Sequence, residues 1–135
     1  MNFVPSSASG FVPASHEDPK NPGVLKRVIA TQQNFQAGQV QMLNWAQLPV
    51  GSSFQPHYHE DMQEVFVLLS GVVTMTVRKF NSDHSAKECI TMRTGDTVMI
   101  DPTEIHQMQN IGDVVAEYIV FGISSQKGGK TIVVS

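Results

Sequence analysis

The chain is poor in cysteine and in charge. It has one cysteine, Cys89, and nine basic against twelve acidic residues among 135, a net charge of −3. A single cysteine excludes an internal disulfide and a CxxC metal or redox motif. The weakly acidic balance argues against a nucleic-acid partner, which requires a basic face. Apolar runs fall far short of the roughly 20 residues that span a bilayer, and the first 20 residues contain no secretory-signal pattern. A cytoplasmic protein with neither a nucleic-acid nor a membrane partner is therefore expected.

The composition changes along the chain and predicts three segments. Residues 1–23 contain four of the seven prolines, and we expect them to form an extended N-terminal arm. Residues 24–125 consist of short apolar or alternating runs between turn signals such as Ser70-Gly71, without a helical period. This pattern predicts an all-β sandwich or barrel. Residues 126–135 form a C-terminal tail that could add one more strand.

Several predicted strands are apolar on both faces. The runs VFVLL (65–69) and VVAEYIVFGI (114–123) lack the alternation of a sheet with one solvated face. Either the arm or a second subunit should cover the outer face, and a homodimer is the oligomeric state we expect.

A group of polar residues in the middle of the chain has the spacing of a metal site. His57 and His59 lie two residues apart in a strand-like run, so their side chains leave the same face. Glu64 follows in the next strand, and His106 lies in a later one. Three imidazoles and one carboxylate favour Mn, Fe, Co, Ni or Zn over Ca or Mg.

The spacing of these residues resembles that of the cupin superfamily. The first cupin motif, G-x5-HxH-x4-E-x6-G, is matched at every defined position by GSSFQPHYHEDMQEVFVLLSG (51–71). The second motif, G-x5-P-x-G-x2-H-x3-N, is matched in part by GDTVMIDPTEIHQMQN (95–110), where Asp101 and Thr103 replace the family's proline and glycine. The resemblance implies a double-stranded β-helix, or jelly-roll barrel, with a divalent metal on the four residues named above.

The predicted function follows from this open metal site. Four protein ligands leave two neighbouring positions free on an octahedral ion, where a small organic substrate could bind. We expect a metal-dependent enzyme, with a dioxygenase favoured over an isomerase or lyase. The alternative is a non-catalytic module that binds a small molecule with the metal as anchor.

Other residues are candidates for the pocket. Gln55 shares the strand phase of His57, and Phe66 and Met108 share the phases of Glu64 and His106. Glu104 could act as an acid or base near the metal, although a solvated turn carboxylate is the alternative. Tyr118 and Trp45 could also reach the cavity. His16, in the arm, and His84, in a polar loop, are interpreted as solvated surface histidines.

Overall fold

Two antiparallel sheets make up the computed structural model, which describes residues 1–35, 38–80, 86–125 and 131–134. The six-stranded sheet has the order β1-β2-β3-β10-β5-β8, and the five-stranded sheet has the order β11-β4-β9-β6-β7. The strands are β1 Val12–Pro13, β2 Leu25–Thr31, β3 Val40–Leu48, β4 His57–His59, β5 Met62–Ser70, β6 Val73–Lys79, β7 Lys87–Met92, β8 Thr97–Ile100, β9 Glu104–Asn110, β10 Ala116–Ser124 and β11 Thr131–Val133. Two short 3-10 helices span Ser6–Ala8 and Gln32–Asn34. The predicted all-β jelly roll is confirmed.

The core lies between the two sheets because alternate residues of each strand point inwards. In β10, Ala116, Tyr118 and Val120 are buried, whereas the residues between them are more exposed. The core includes fully buried residues from both sheets and from the segment between β3 and β4: Leu48, Phe54, Leu68, Val73, Met75, Met92 and Met108. Gly71 lies between β5 and β6 at a φ of 91°, which favours glycine. Within the described residues, no helix is long and apolar enough to cross a membrane.

The N-terminal arm is attached to the six-stranded sheet. Strand β1 pairs with β2, with Val12 opposite Lys26. The carbonyl of Ser6 accepts a hydrogen bond of 2.7 Å from Arg27 Nη1. Residues 4–9 thereby lie over the outer face of this sheet near Trp45. The arm covers only part of that face.

The C-terminal tail contributes a strand to the same chain. Thr131 pairs with His59 and Val133 with His57, so β11 flanks the short strand β4. The hydrogen bond from Val134 N to Pro56 O, 2.9 Å long, extends this pairing. The predicted extra strand therefore supports the strand that carries two of the candidate ligands.

Candidate metal centre

The four predicted ligands converge between the two sheets. His57 and His59 are the inward residues of β4, and His57 lies opposite His106 of β9. Glu64 reaches the same point from β5, in the other sheet. One ligand atom from each residue lies within 4.8 Å of the others, and none of the four side chains is more than 6% exposed. The motif spacing is therefore reproduced as one buried cluster.

The outer nitrogens of all three imidazoles have partners. His57 Nδ1–H donates to the carbonyl of Gln55 at 2.7 Å, and His106 Nδ1–H donates to the carbonyl of Glu104 at 3.0 Å. His59 Nδ1 lies 3.1 Å from the Thr131 hydroxyl oxygen, which can accept a hydrogen bond from Nδ1–H. A proton on Nδ1 leaves Nε2 with a free lone pair, which is the form of histidine that binds a metal.

The inner nitrogens face the carboxylate of Glu64. His59 Nε2 lies 2.9 Å and His106 Nε2 2.8 Å from Glu64 Oε1. Despite this short contact, the buried His106 Nε2 has no hydrogen-bond partner among the described residues. A cation between these atoms would supply the missing partner. The donor set therefore fits a divalent transition metal.

The surroundings of the cluster shift the pKa values of His57 and Glu64. Burial, together with the neighbouring His106 and His16, lowers the pKa of His57 to about 3. Burial alone would raise the pKa of Glu64, but its close contacts with the imidazoles of His106 and His59 outweigh burial and hold that pKa well below the ordinary value. At neutral pH the cluster thus offers an anionic carboxylate beside the neutral imidazole of His57.

A cavity of about 360 Å³ adjoins this cluster. Its aromatic wall consists of Phe54, Tyr118 and Phe66, the last of which was a pocket candidate from the sequence. Burial raises the pKa of Tyr118, and the charges of Glu64 and Glu17 add to that effect. The phenol of Tyr118 therefore stays protonated at neutral pH.

The remaining pocket candidates lie elsewhere. Gln55 has an exposed side chain outside the cavity lining, and its backbone carbonyl is the part that contacts His57. Met108 is fully buried in the core and also lies outside the lining. Glu104 Oε1 accepts a 2.8 Å hydrogen bond from the Asp101 amide, the geometry of a turn carboxylate. Trp45 donates to Glu117 Oε1 at 2.9 Å and does not line the cavity.

The interpretation of His16 as a solvated histidine was wrong. Its side chain is 19% exposed, it lines the cavity, and its ring centroid lies 4.3 Å from that of His57. Burial lowers the pKa of His16 although Glu17 opposes the shift. The N-terminal arm therefore contributes His16 to the lining of the cavity. His84 lies outside the described residues.

A buried carboxylate holds the arm in this position. Glu17 Oε1 accepts a hydrogen bond from Gly23 N at 2.6 Å, and Oε2 accepts one from Gln55 N at 2.9 Å. Gln55 in turn orients His57. Sequence reasoning missed Glu17, and the sequence offers one weak signal for it, since His16-Glu17-Asp18 is a polar, ionisable tripeptide in an arm otherwise rich in proline, serine and glycine.

Thr103, which stands where the second motif has glycine, adopts an unusual backbone conformation. Thr103 has a φ of 70°, in the left-handed region that glycine favours. Its amide donates a 2.7 Å hydrogen bond to the carbonyl of His59. The backbone thus keeps the glycine-type turn, and the threonine adopts it at a conformational cost.

The comparisons with known proteins agree with this geometry. A family model described as the cupin domain matches residues 44–122. The chain belongs to the cupin family. An uncharacterized protein of Methanocaldococcus jannaschii is 33% identical to this cupin over 81 residues, which are 60% of this chain and 58% of the relative.

Solved cupin structures share the fold at low identity. A predicted oxalate decarboxylase from Thermotoga maritima superposes with a TM-score of 0.74 and 22% identity, over 91% of this chain and 99% of that one. The oxalate decarboxylase of Lactobacillus farciminis, in a formate complex, gives a TM-score of 0.69 and 19% identity, over 93% of this chain and 33% of that one. These similarities establish the fold.

Proposed function

We propose that this cupin is a metal-dependent enzyme that acts on a small organic substrate. The observation that carries the proposal is a four-residue cluster, with three imidazoles oriented through Nδ1, at the wall of a 360 Å³ cavity. A purely structural site would be closed and rich in thiolates, whereas this one adjoins room for a ligand. A divalent ion held there would supply Lewis-acid or oxygen-activating chemistry.

The protein's own residues would bind, orient and shield the substrate. Phe54, Phe66 and Tyr118 exclude bulk water from the metal side of the cavity, which strengthens electrostatic interactions there. The hydrogen bonds to Gln55, Glu104 and Thr131 fix the imidazole rings. Among reaction classes we favour dioxygenation over isomerisation and lyase chemistry, because the site leaves room for oxygen and substrate together.

A non-catalytic binding module is the second candidate. The position of Glu104 favours it, because this carboxylate hydrogen-bonds to the Asp101 amide instead of facing the cavity. The candidate acid or base from the sequence is therefore not placed to move a proton on a bound molecule.

Metal content and oxygen uptake together distinguish the two candidates. The chain is purified without an affinity tag or added metal, and its metal is identified. Oxygen consumption by the Fe²⁺-loaded protein is then measured against 1,2-diols, thiols, 1,3-diketones and hydroxy acids. Glu64→Gln should weaken metal binding at least tenfold and abolish uptake even with excess metal, whereas the exposed Glu88→Gln serves as the matched control. Binding of one of these compounds to a confirmed ferrous site, without any uptake, would support the binding module instead.

A further inference from the structure

A single carboxamide, that of Asn44, interrupts an apolar row of side chains along the cavity. Asn44 of β3 lies opposite Val28 of β2 on one side and opposite Val120 of β10 on the other. Val120 in turn lies opposite Phe66 of β5, and all four residues line the cavity. The apolar side chains in this row offer the carboxamide no hydrogen bond.

The oxygen of this carboxamide is a buried acceptor without a donor. Asn44 is 8% exposed, and its Oδ1 has no hydrogen-bond partner among the described residues. Buried acceptors of this kind are rare, because they lose the hydrogen bonds that water would supply. An apolar side chain between the two valines would avoid that cost. Packing therefore does not explain the asparagine, whereas an occupant of the cavity that donates a hydrogen bond does.

The charges around Asn44 limit the kind of donor. Lys26 lies opposite Ala46, two residues along β3 from Asn44, and also lines the cavity. A divalent ion on the four-residue cluster would add further positive charge to the same cavity. These charges disfavour an ammonium donor, and a carboxylate has no proton to donate. An uncharged O–H or N–H group remains.

The position of the acceptor favours a hydroxyl over an amide. Asn44 Oδ1 is buried in a row flanked by valines, so only a small donor can reach it. A hydroxyl is the smallest uncharged donor, and it also accepts a hydrogen bond. Tyr118 lines the same cavity, and burial raises its pKa, so its phenol is present as a donor for that second bond.

Asn44 lies on the cavity wall away from the metal-binding cluster. Glu64 lies opposite Gly122 of β10, whereas Asn44 lies opposite Val120 on the other side of that strand. Two strand spacings and two residues along the strand place the Cα atoms of Glu64 and Asn44 about 12 Å apart in a flat sheet. A group that reaches Asn44 therefore belongs to the end of a ligand that is remote from its metal-binding atoms.

From these observations we infer that Asn44 Oδ1 accepts a hydrogen bond from an uncharged hydroxyl group at the end of the ligand remote from the metal. In the free protein a water molecule would occupy this place, and the hydroxyl of the ligand would replace it. The inference rests on the proposed function and narrows its substrates to alcohols whose other end binds the metal.

A series of benzohydroxamates tests the inference, because the hydroxamate binds a divalent transition metal through two oxygens while the ring carries a variable group. That group is hydroxymethyl, methoxymethyl, ethyl or carboxyl, at the meta or para position. Calorimetry with the Co²⁺-loaded protein gives the affinity, and visible absorption reports ligation at the metal. For at least one ring position, the hydroxymethyl compound should bind about five- to a hundredfold more tightly than the ethyl and methoxymethyl compounds, which leave the buried acceptor without a donor.

A variant of Asn44 assigns the preference to this residue. Asn44→Leu has nearly the same shape but no acceptor, so the advantage of the hydroxymethyl over the ethyl compound should disappear. Its affinity for the ethyl compound should equal or exceed that of the wild type, which also shows that the variant is folded. Gln109→Leu removes an exposed carboxamide of β9 and should match the wild type.

The two readouts separate the outcomes that would contradict us. If the compounds perturb the cobalt spectrum but the hydroxymethyl group gives no advantage, or if the advantage survives in Asn44→Leu, the inference is wrong and the proposed function stands. The same holds if the carboxyl compound binds most tightly, because Lys26 would then select the ligand. If the protein binds Co²⁺ but none of the compounds, the inference is wrong. If it binds no Co²⁺, the proposed function fails and the inference fails with it.

Discussion

Removal of the Glu17 carboxylate should loosen the arm and weaken the metal site together. Glu17 is 7% exposed and accepts hydrogen bonds from two backbone amides, those of Gly23 and Gln55. Glu17→Ala removes both acceptors and leaves two amides without partners. Glu17→Gln retains one oxygen but presents an NH₂ group to the other amide, where donor faces donor.

The expected loss of stability follows from these two contacts. A hydrogen bond to a charged group contributes about 1.5–3 kcal/mol, so the loss of two in Glu17→Ala should lower the free energy of unfolding by about 3–6 kcal/mol. Glu17→Gln should lower it by about 2 kcal/mol. For a chain of 135 residues, about 2 kcal/mol corresponds to a fall in Tm of roughly 7 °C.

The metal affinity should fall as well, because the carbonyl of Gln55 orients His57. Loss of a hydrogen bond that orients a metal-binding histidine weakens metal binding about 10- to 100-fold. Urea unfolding of the metal-free protein gives the stability, and Co²⁺ titration gives the affinity. Asp18→Asn is the matched control, since Asp18 is an exposed neighbour that contacts the Lys20 amide. Wild-type stability and affinity in Glu17→Ala would refute the coupling between arm and site.

Three further predictions concern the turn, the imidazole and the outer face. Thr103→Gly should raise the free energy of unfolding by about 1 kcal/mol, because it relieves a β-branched residue at a φ of 70°; an unchanged or lower value in urea unfolding would contradict this. The pKa of His57 is lowered to about 3 on folding, so the unfolded chain binds more protons between that pH and the ordinary value near 6.5. The free energy of unfolding of the metal-free protein should therefore rise with pH across this window, by up to about 1.4 kcal/mol per pH unit. His57→Phe should show a smaller rise. If the variant and the wild type show the same rise, His57 is not its cause. We also expect a dimer through the outer face of the six-stranded sheet, where Leu69, Met99 and Ile123 are 36%, 62% and 39% exposed. Met99→Lys should therefore sediment as a monomer. A wild-type protein that is monomeric at high concentration would contradict this expectation.

The strands and the metal cluster could be predicted from the sequence because their signals are local. Alternation within each run depends on residues two apart, and turn residues such as Gly71 mark the ends of strands. The ligands His57, His59 and Glu64 fall within eight residues of one another, so a single motif specifies them. The fold and the cluster could thus be recognised before the structure was known.

The rest of the cavity could not be predicted, because it depends on which distant strands become neighbours. Lys26 and Asn44 enter the cavity through the register of β2, β3 and β10, and no local pattern encodes that register. His16 reaches the site because Glu17 holds the arm against residues 23 and 55. For Gln55 the local pattern was misleading. Its strand phase, shared with His57, predicted an inward side chain, but Gln55 precedes the start of β4 and its side chain is exposed.

The order in which the protein is synthesised constrains when it can acquire metal. His16, in the N-terminal arm, and Thr131, which contacts His59 Nδ1, are separated by most of the sequence. A nascent chain that has emerged only as far as His106 already contains all four ligands, but strand β11 is still inside the ribosome and cannot flank β4. The fully supported site can therefore form only after Thr131–Val133 has emerged. Metal loading should then follow the emergence of Thr131–Val133, when strand β11 can flank β4.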